Sequence, residues 1–171
     1  EQVIADMDRG GIDRALLVQA QNAYRNDNRY VVDMARAYPD RFKAVVVVDA
    51  REDDAADQLE RWVSEHGAVG GRMMFQTPDF HADDPKVVPV LERARRLGIP
   101  MCIYVWWRDL SRFATLLERT PDQIIALDHM GHPPLEGGKP YEPLAPLMAL
   151  ARHTNLILKD RKSTRLNSSH T

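Results

Sequence analysis

The sequence predicts an α/β fold, a (β/α)8 barrel that is incomplete, with about strands two to seven present. Three observations carry this. Short apolar runs alternate strictly with segments of helical periodicity, the pattern of a parallel sheet with right-handed crossovers. The strands start near residues 15, 44, 69, 100, 124 and 155, so by subtraction they recur every 24 to 31 residues. No self-similarity at that period marks a repeat solenoid, and no glycine-rich turn after the first strand favours the competing open, doubly wound sheet. A whole barrel takes roughly 250 residues, against 171 here. An opening helix and a sixth strand without its helix fit a barrel lacking strands one and eight.

Gln2 to Arg9 carries Val3, Ile4 and Met7 at helical spacing, and Gly10-Gly11 ends it. Ala15 to Val18 is a buried strand ending at Gln19, followed by a polar loop from Gln21 to Asp27. Asn26 or Asp27 can cap a helix from Asn28 to Tyr38, which Pro39-Asp40 closes. Phe42 to Val48 is the second strand, with Asp49 at its end. Asp53 and Asp54 open a helix to about His66, with Leu59, Trp62 and Val63 inward and Gly67 as its stop. Ala68 to Phe75 is the third strand. Pro85 suits the first turn of a helix running to Leu97, stopped by Gly98. Ile99 to Val105 is the fourth strand and Leu110 to Arg119 a helix. The fifth strand begins at Ile124. A proline-rich loop from Pro133 to Pro143 leads to a helix from Leu144 to His153, and Asn155 to Lys159 is the sixth strand.

The formal charge of −2 argues against a nucleic-acid footprint, and no apolar run is long enough to span a bilayer. Arg93, Arg95 and Arg96 read as a charged helix face. The single cysteine, Cys102, lies in an apolar run and reads as a small core residue; a cytoplasmic setting is expected. The chain begins with Glu1, so the lack of a targeting signal says little. From Asp160 the composition turns polar and basic, and DRKSTRLNSSH resembles the translation of a common sequencing adapter. Residues 160–171 are therefore expected to be an adapter-derived, disordered tail, and residues 1–159 an interior fragment of a longer protein.

In a barrel the carboxyl ends of the strands share one mouth, where ligands bind. Those ends offer Gln19, Asp49, Arg72, Tyr104 or Trp106, His129 and Lys159. His129 ends the run Ile124-Ile125-Ala126-Leu127-Asp128 and is followed by Met130-Gly131-His132-Pro133. It can carry protons near neutral pH, ligate a metal, or merely cap the strand. The planar fork of Arg72 suits a carboxylate-bearing substrate, or alternatively a salt bridge across the mouth, to Asp49 for instance. Tyr104 and Gln19 are further candidate substrate contacts, and Trp106-Trp107 reads chiefly as packing. Asp128, next to His129, is expected on the opposite, helix-facing side of the strand. His129-x-x-His132 is a weak metal signal, and His66, His81 and His153 read as solvated.

Several stretches together resemble the amidohydrolase-related, amidohydrolase-2 type barrel enzymes. They are Met7 to Gln19, Asn28-Arg29-Tyr30, Tyr38 to Phe42, Gly70-Gly71-Arg72, Leu127-Asp128-His129-Met130-Gly131-His132-Pro133, and Asn155 to Lys159. The resemblance implies a barrel that is a hydrolase or a carbon–carbon lyase. One branch, the decarboxylases of the aminocarboxymuconate semialdehyde type, uses zinc held in part by a histidine on strand five. The corresponding stretch, Met101 to Trp107, has no histidine. A second branch, similar to 2-pyrone-4,6-dicarboxylate hydrolase, keeps the strand-six histidine without a metal. The resemblance thus implies a hydrolase that opens a cyclic ester of a small carboxylate, with no cofactor (zinc being the alternative). His129 would be catalytic, Arg72, Tyr104 and Gln19 would bind substrate, and an aspartate on strand eight would activate water. The isolated chain is expected to lack turnover. A zinc-dependent decarboxylase and a non-catalytic α/β binding module are the competing readings.

Overall fold

The computed structural model describes residues 2–134 and 142–160. Helices α1 (Gln2–Arg9), α2 (Gln21–Tyr24), α3 (Arg29–Ala37), α4 (Ala55–Ser64), α5 (Val87–Arg96), α6 (Leu110–Arg119) and α7 (Ala145–Ala149) alternate with strands β1 (Ala15–Val18), β2 (Phe42–Val47), β3 (Gly70–Met74), β4 (Met101–Tyr104), β5 (Ile125–Asp128) and β6 (Leu156–Lys159). All neighbouring strands are parallel, and their order in the sheet is their order in the chain, β1-β2-β3-β4-β5-β6. A doubly wound sheet reverses its order at a switch point; this one never does. It is a curled half-barrel, an incomplete TIM barrel.

Side chains alternate between the two faces of each strand, and residues in register share a face. On the helix side, Ala44, Val46, Met73, Met101, Ile103, Ile125 and Leu127 pack against Leu59, Leu91, Phe113, Leu116 and Leu117 in one continuous core. Each fully buried aliphatic side chain contributes roughly 1.5–3 kcal/mol. At Gly71 an added Cβ would sit 2.5 Å from the sulfur of Met101 and 2.9 Å from Leu59 Cδ1. The missing side chain of Gly71 therefore lets α4 close onto the sheet. The opposite, lumen face carries Val47, Arg72, Cys102, Ala126 and Ile157 in one cross-strand register, with Tyr104, Asp128 and Lys159 one step higher.

Three glycines, Gly11, Gly67 and Gly98, end helices with φ of +64°, +75° and +68°, as their positions imply. Elsewhere the structure corrects the expected boundaries. Gln21–Tyr24 forms a short helical turn where polarity suggested a loop. The helix expected from Pro85 begins at Val87, because the Asp84 carboxylate accepts the Lys86 N–H at 2.9 Å and folds a turn there. The helix expected from Leu144 to His153 is only α7, flanked by 3-10 turns at Glu142–Leu144 and Leu150–Arg152. Asn28 precedes α3 without capping it; its buried amide donates to the Val47 carbonyl and accepts the Val47 N–H, both at 2.8 Å. It thereby completes the edge of β2 beyond the end of β1. Part of the proline-rich loop and the tail from residue 161 lie outside the described residues.

Candidate active site at the strand ends

The carboxyl ends of β3, β4, β5 and β6 bring Arg72, Tyr104, Asp128 and Lys159 together on the lumen face. Asp128 is fully buried. Its Oδ2 accepts from Arg72 Nε at 2.6 Å and its Oδ1 from Lys159 Nζ at 2.9 Å. The helix-facing position expected for Asp128 is therefore wrong. The alternation holds, but its phase is set by Ile125 and Leu127 turning into the helix-side core. The salt-bridge partner of Arg72 is Asp128, not Asp49. Asp49 pairs instead with Arg51, whose Nε donates to Oδ1 at 2.9 Å. That bond holds the Asp49 carboxyl below its ordinary range, against a smaller opposing effect of burial.

Arg72 crosses beneath Tyr104, its guanidinium carbon 5.8 Å from the ring centroid. The span from β3 over β4 to β5 is roughly 10 Å. It stays open because the lumen residues in register with Arg72 are small, Cys102 on β4 and then Ala126 on β5. Burial pushes the Cys102 thiol up, the nearby Asp128 charge adds to this, and Lys159 and Arg72 oppose it. Cys102 is thus a neutral floor to the ionic group rather than a plain core residue.

His129 leaves the pleat. His129, Met130, Gly131 and His132 all have positive φ, at 54°, 53°, 73° and 52°. Non-glycine residues in this region cost roughly 1–3 kcal/mol each and collect at functional sites. In regular extended backbone His129 would face the helices. The left-handed turn swings it back over the mouth, 6.0 Å from Tyr104 between ring centroids. His132 completes an aromatic group, 4.9 Å from His129, 5.1 Å from Tyr104 and 5.1 Å from Trp106. The two tryptophans divide: Trp107 packs on the core, while Trp106 is exposed beside His132.

Gln19 does not join this group. It is buried, its side-chain amide donates to the Asp27 carbonyl and its Oε1 accepts the Ala20 N–H. These bonds brace the loop after β1, and the structure does not bring Gln19 into the group formed by Arg72, Tyr104, Asp128 and Lys159. His66 packs at a tilt against Trp62, and His81 lies 3.5 Å from Asp109. Sequence reasoning passed over Asp128, Cys102 and His132 as site residues. The register that sets Asp128 beside Lys159 appears only in the folded sheet.

Six parallel strands in chain order, with a polar group at their carboxyl ends, define an incomplete α/β barrel. The amidohydrolase family profile (Amidohydro_2) matches residues 4–167, and the chain belongs to that family. The match runs past Lys159, into the stretch read above as adapter-derived. No curated protein sequence matches the chain. Among solved structures, a probable 2-pyrone-4,6-dicarboxylic acid hydrolase from Acinetobacter baumannii, with citric acid bound, is similar at 18% identity, with a TM-score of 0.75, over 92% of this chain and 57% of that one. The 5-carboxyvanillate decarboxylase of Sphingomonas paucimobilis is similar at 22% identity, with a TM-score of 0.63, over 77% of this chain and 51% of that one. A 5-carboxyvanillate decarboxylase from Novosphingobium aromaticivorans, complexed with manganese and 4-hydroxy-3-methoxy-5-nitrobenzoic acid, is similar at 20% identity, with a TM-score of 0.65, over 77% of this chain and 49% of that one. The chain spans about half the length of these structures, and at such identity the likeness establishes the fold.

The manganese in that neighbour leaves the expectation of a cofactor-free protein without support. Among the described residues, however, no three His, Cys, Asp or Glu side chains come together as metal ligands. Asp128 is already held by two cations. The donors among the described residues do not make a metal site by themselves. No helix among the described residues is long and apolar enough to cross a membrane.

Proposed function

We propose that this chain contributes the carboxylate-binding part of a family hydrolase that opens a cyclic ester of a small, carboxylate-bearing molecule. The observation that carries the reading is the placement of Arg72 beneath Tyr104 with His129 turned over the same mouth. Asp128 takes the Nε side of the Arg72 fork, and among the described residues no hydrogen bond occupies its Nη side. A planar, permanently charged pair of donors suits a substrate carboxylate and fixes its orientation. His129 would donate to the ester carbonyl oxygen and stabilise the charge that develops there as water adds. Water attacks the carbonyl carbon, the ring C–O bond breaks, and the ring oxygen leaves with a proton. Carboxylates in the neighbours support the substrate class: citric acid in one, a nitrobenzoic acid in another, 2,6-dihydroxybenzoate in a third.

The second reading, a decarboxylase of the same family, is favoured by the several decarboxylases among the neighbours. Assays on the full-length protein separate the two. Ring opening of 2-pyrone-4,6-dicarboxylate without gas release supports the hydrolase, and carbon dioxide release from 5-carboxyvanillate supports the decarboxylase. With the lactone, His129→Ala should lower kcat by about 100- to 1000-fold, and near-normal turnover in that variant would discard the assignment. Arg72→Met should chiefly raise KM, and an unchanged KM would remove the clamp. The 171-residue chain alone is proposed to bind carboxylates without turning over.

A further inference from the structure

The geometry points to Lys159 as the second cation of the carboxylate site, with buried Asp128 as the positioning residue that holds Lys159 and Arg72 on either side of its own carboxylate. This inference rests on the carboxylate-binding reading given above. Asp128 is fully buried, and its two oxygens are taken by different cations, Arg72 Nε at 2.6 Å and Lys159 Nζ at 2.9 Å. A buried carboxylate needs a partner, because desolvation of a lone charge is costly. One cation would meet that need. The second leaves the group with one positive charge in excess, and the two cations repel across the carboxylate they share. An anion placed between them returns the group to balance, which a purely structural brace would achieve with Arg72 alone.

Exposure and donor count agree with this. The Lys159 side chain is 39% exposed and that of Arg72 11%, so both still reach solvent. An ammonium has three donors, and Asp128 accepts from one. The register of Asp128 with Lys159 sets the lysine on the lumen face, level with Tyr104 and above the Arg72 row. Asp128 therefore spaces the two cations, and a substrate carboxylate would bridge Arg72 Nη and Lys159 Nζ. The ligand class is a small organic acid with at least one carboxylate beside the reacting group.

Citrate is the probe, titrated calorimetrically into the unaltered chain and into Lys159→Met, Lys159→Arg and Arg72→Met. Loss of one charge-assisted contact should weaken binding by about 10- to 100-fold in Lys159→Met, and Lys159→Arg should recover most of it. In parallel, Lys159 of the unaltered chain is acetylated with acetic anhydride and read by mass spectrometry, where saturating citrate should protect it. This second arm decides the matter if Lys159→Met does not fold. Weakened citrate binding in Arg72→Met alone, with Lys159→Met unchanged and Lys159 unprotected, overturns the inference while leaving the Arg72 clamp in place. No citrate binding by the unaltered chain, or binding indifferent to both residues, overturns both.

Discussion

Removing the Asp128 carboxylate should strongly destabilise the fold. The side chain is fully buried and joins β5 to β3 through Arg72 and to β6 through Lys159. In Asp128→Ala the two cations lose their shared counter-charge. Breaking a buried ion pair from one side costs roughly 3–5 kcal/mol. Lys159 is 39% exposed and can turn to water, so screening trims its share, and a net loss of about 3 kcal/mol is expected. With an m-value of about 2 kcal/mol/M, the urea midpoint should fall by about 1.5 M. The companion variant Arg72→Met/Asp128→Leu/Lys159→Met replaces the whole group with apolar side chains, and it should recover most of that loss, since the burden is the unpaired charge. Equilibrium urea unfolding followed by circular dichroism reads both. A midpoint for Asp128→Ala within 0.25 M of the parent, an error margin of about 0.5 kcal/mol at that m-value, would refute the reasoning, as would a triple variant no better than the single one.

Other substitutions test other parts of the fold. Gly71→Ala should lower stability by about 1–3 kcal/mol in thermal unfolding, because its Cβ meets Met101 and Leu59 at under 3 Å; a neutral result would mean the helix layer can back away. Asn28→Ala leaves the buried Val47 N–H and carbonyl without their side-chain partner, a loss of about 2–4 kcal/mol, and amide exchange at Val47 should speed up. Arg25→Gly should raise the melting temperature, since exposed Arg25 holds φ 53° and ψ −123°, a region costly to any residue but glycine. Iodoacetamide should alkylate Cys102 only at higher pH than a free thiol, because its thiol is pushed up in the folded state. By the same linkage, the stability Cys102 contributes is full below the ordinary thiol pKa and declines as pH rises through the folded value. Alkylation at the rate of an unstructured cysteine would contradict this.

The barrel architecture was legible because apolar runs and glycine stops recur at crossover spacing, and the three helix-ending glycines sit where their positive φ requires. The site was legible in part. Arg72, Tyr104 and His129 were readable as strand ends, and Gln19 was too, yet Gln19 faces the loop it braces. The phase of β5 was not readable: Asp128 and His129 are adjacent, both polar, and either could face the mouth. Burial of Ile125 and Leu127 in the helix-side core puts Asp128 at the mouth, a left-handed turn then brings His129 to the same side, and no residue type in His129-Met130-Gly131-His132 except glycine announces that turn. Lys159 and Asp128 stand 31 residues apart in the chain, so their pairing needed the strand register. Where helices were misplaced, at Pro85 and Leu144, local turn bonds or 3-10 geometry took over from periodicity.

A crystal structure of the chain soaked with citrate tests the strand-end site most directly. A carboxylate of the ligand should lie on the lumen side within hydrogen-bonding distance of Arg72 Nη and Lys159 Nζ, beneath His129. An anion bound elsewhere with this mouth empty, or Arg72 turned into the helix layer away from Asp128, would contradict it.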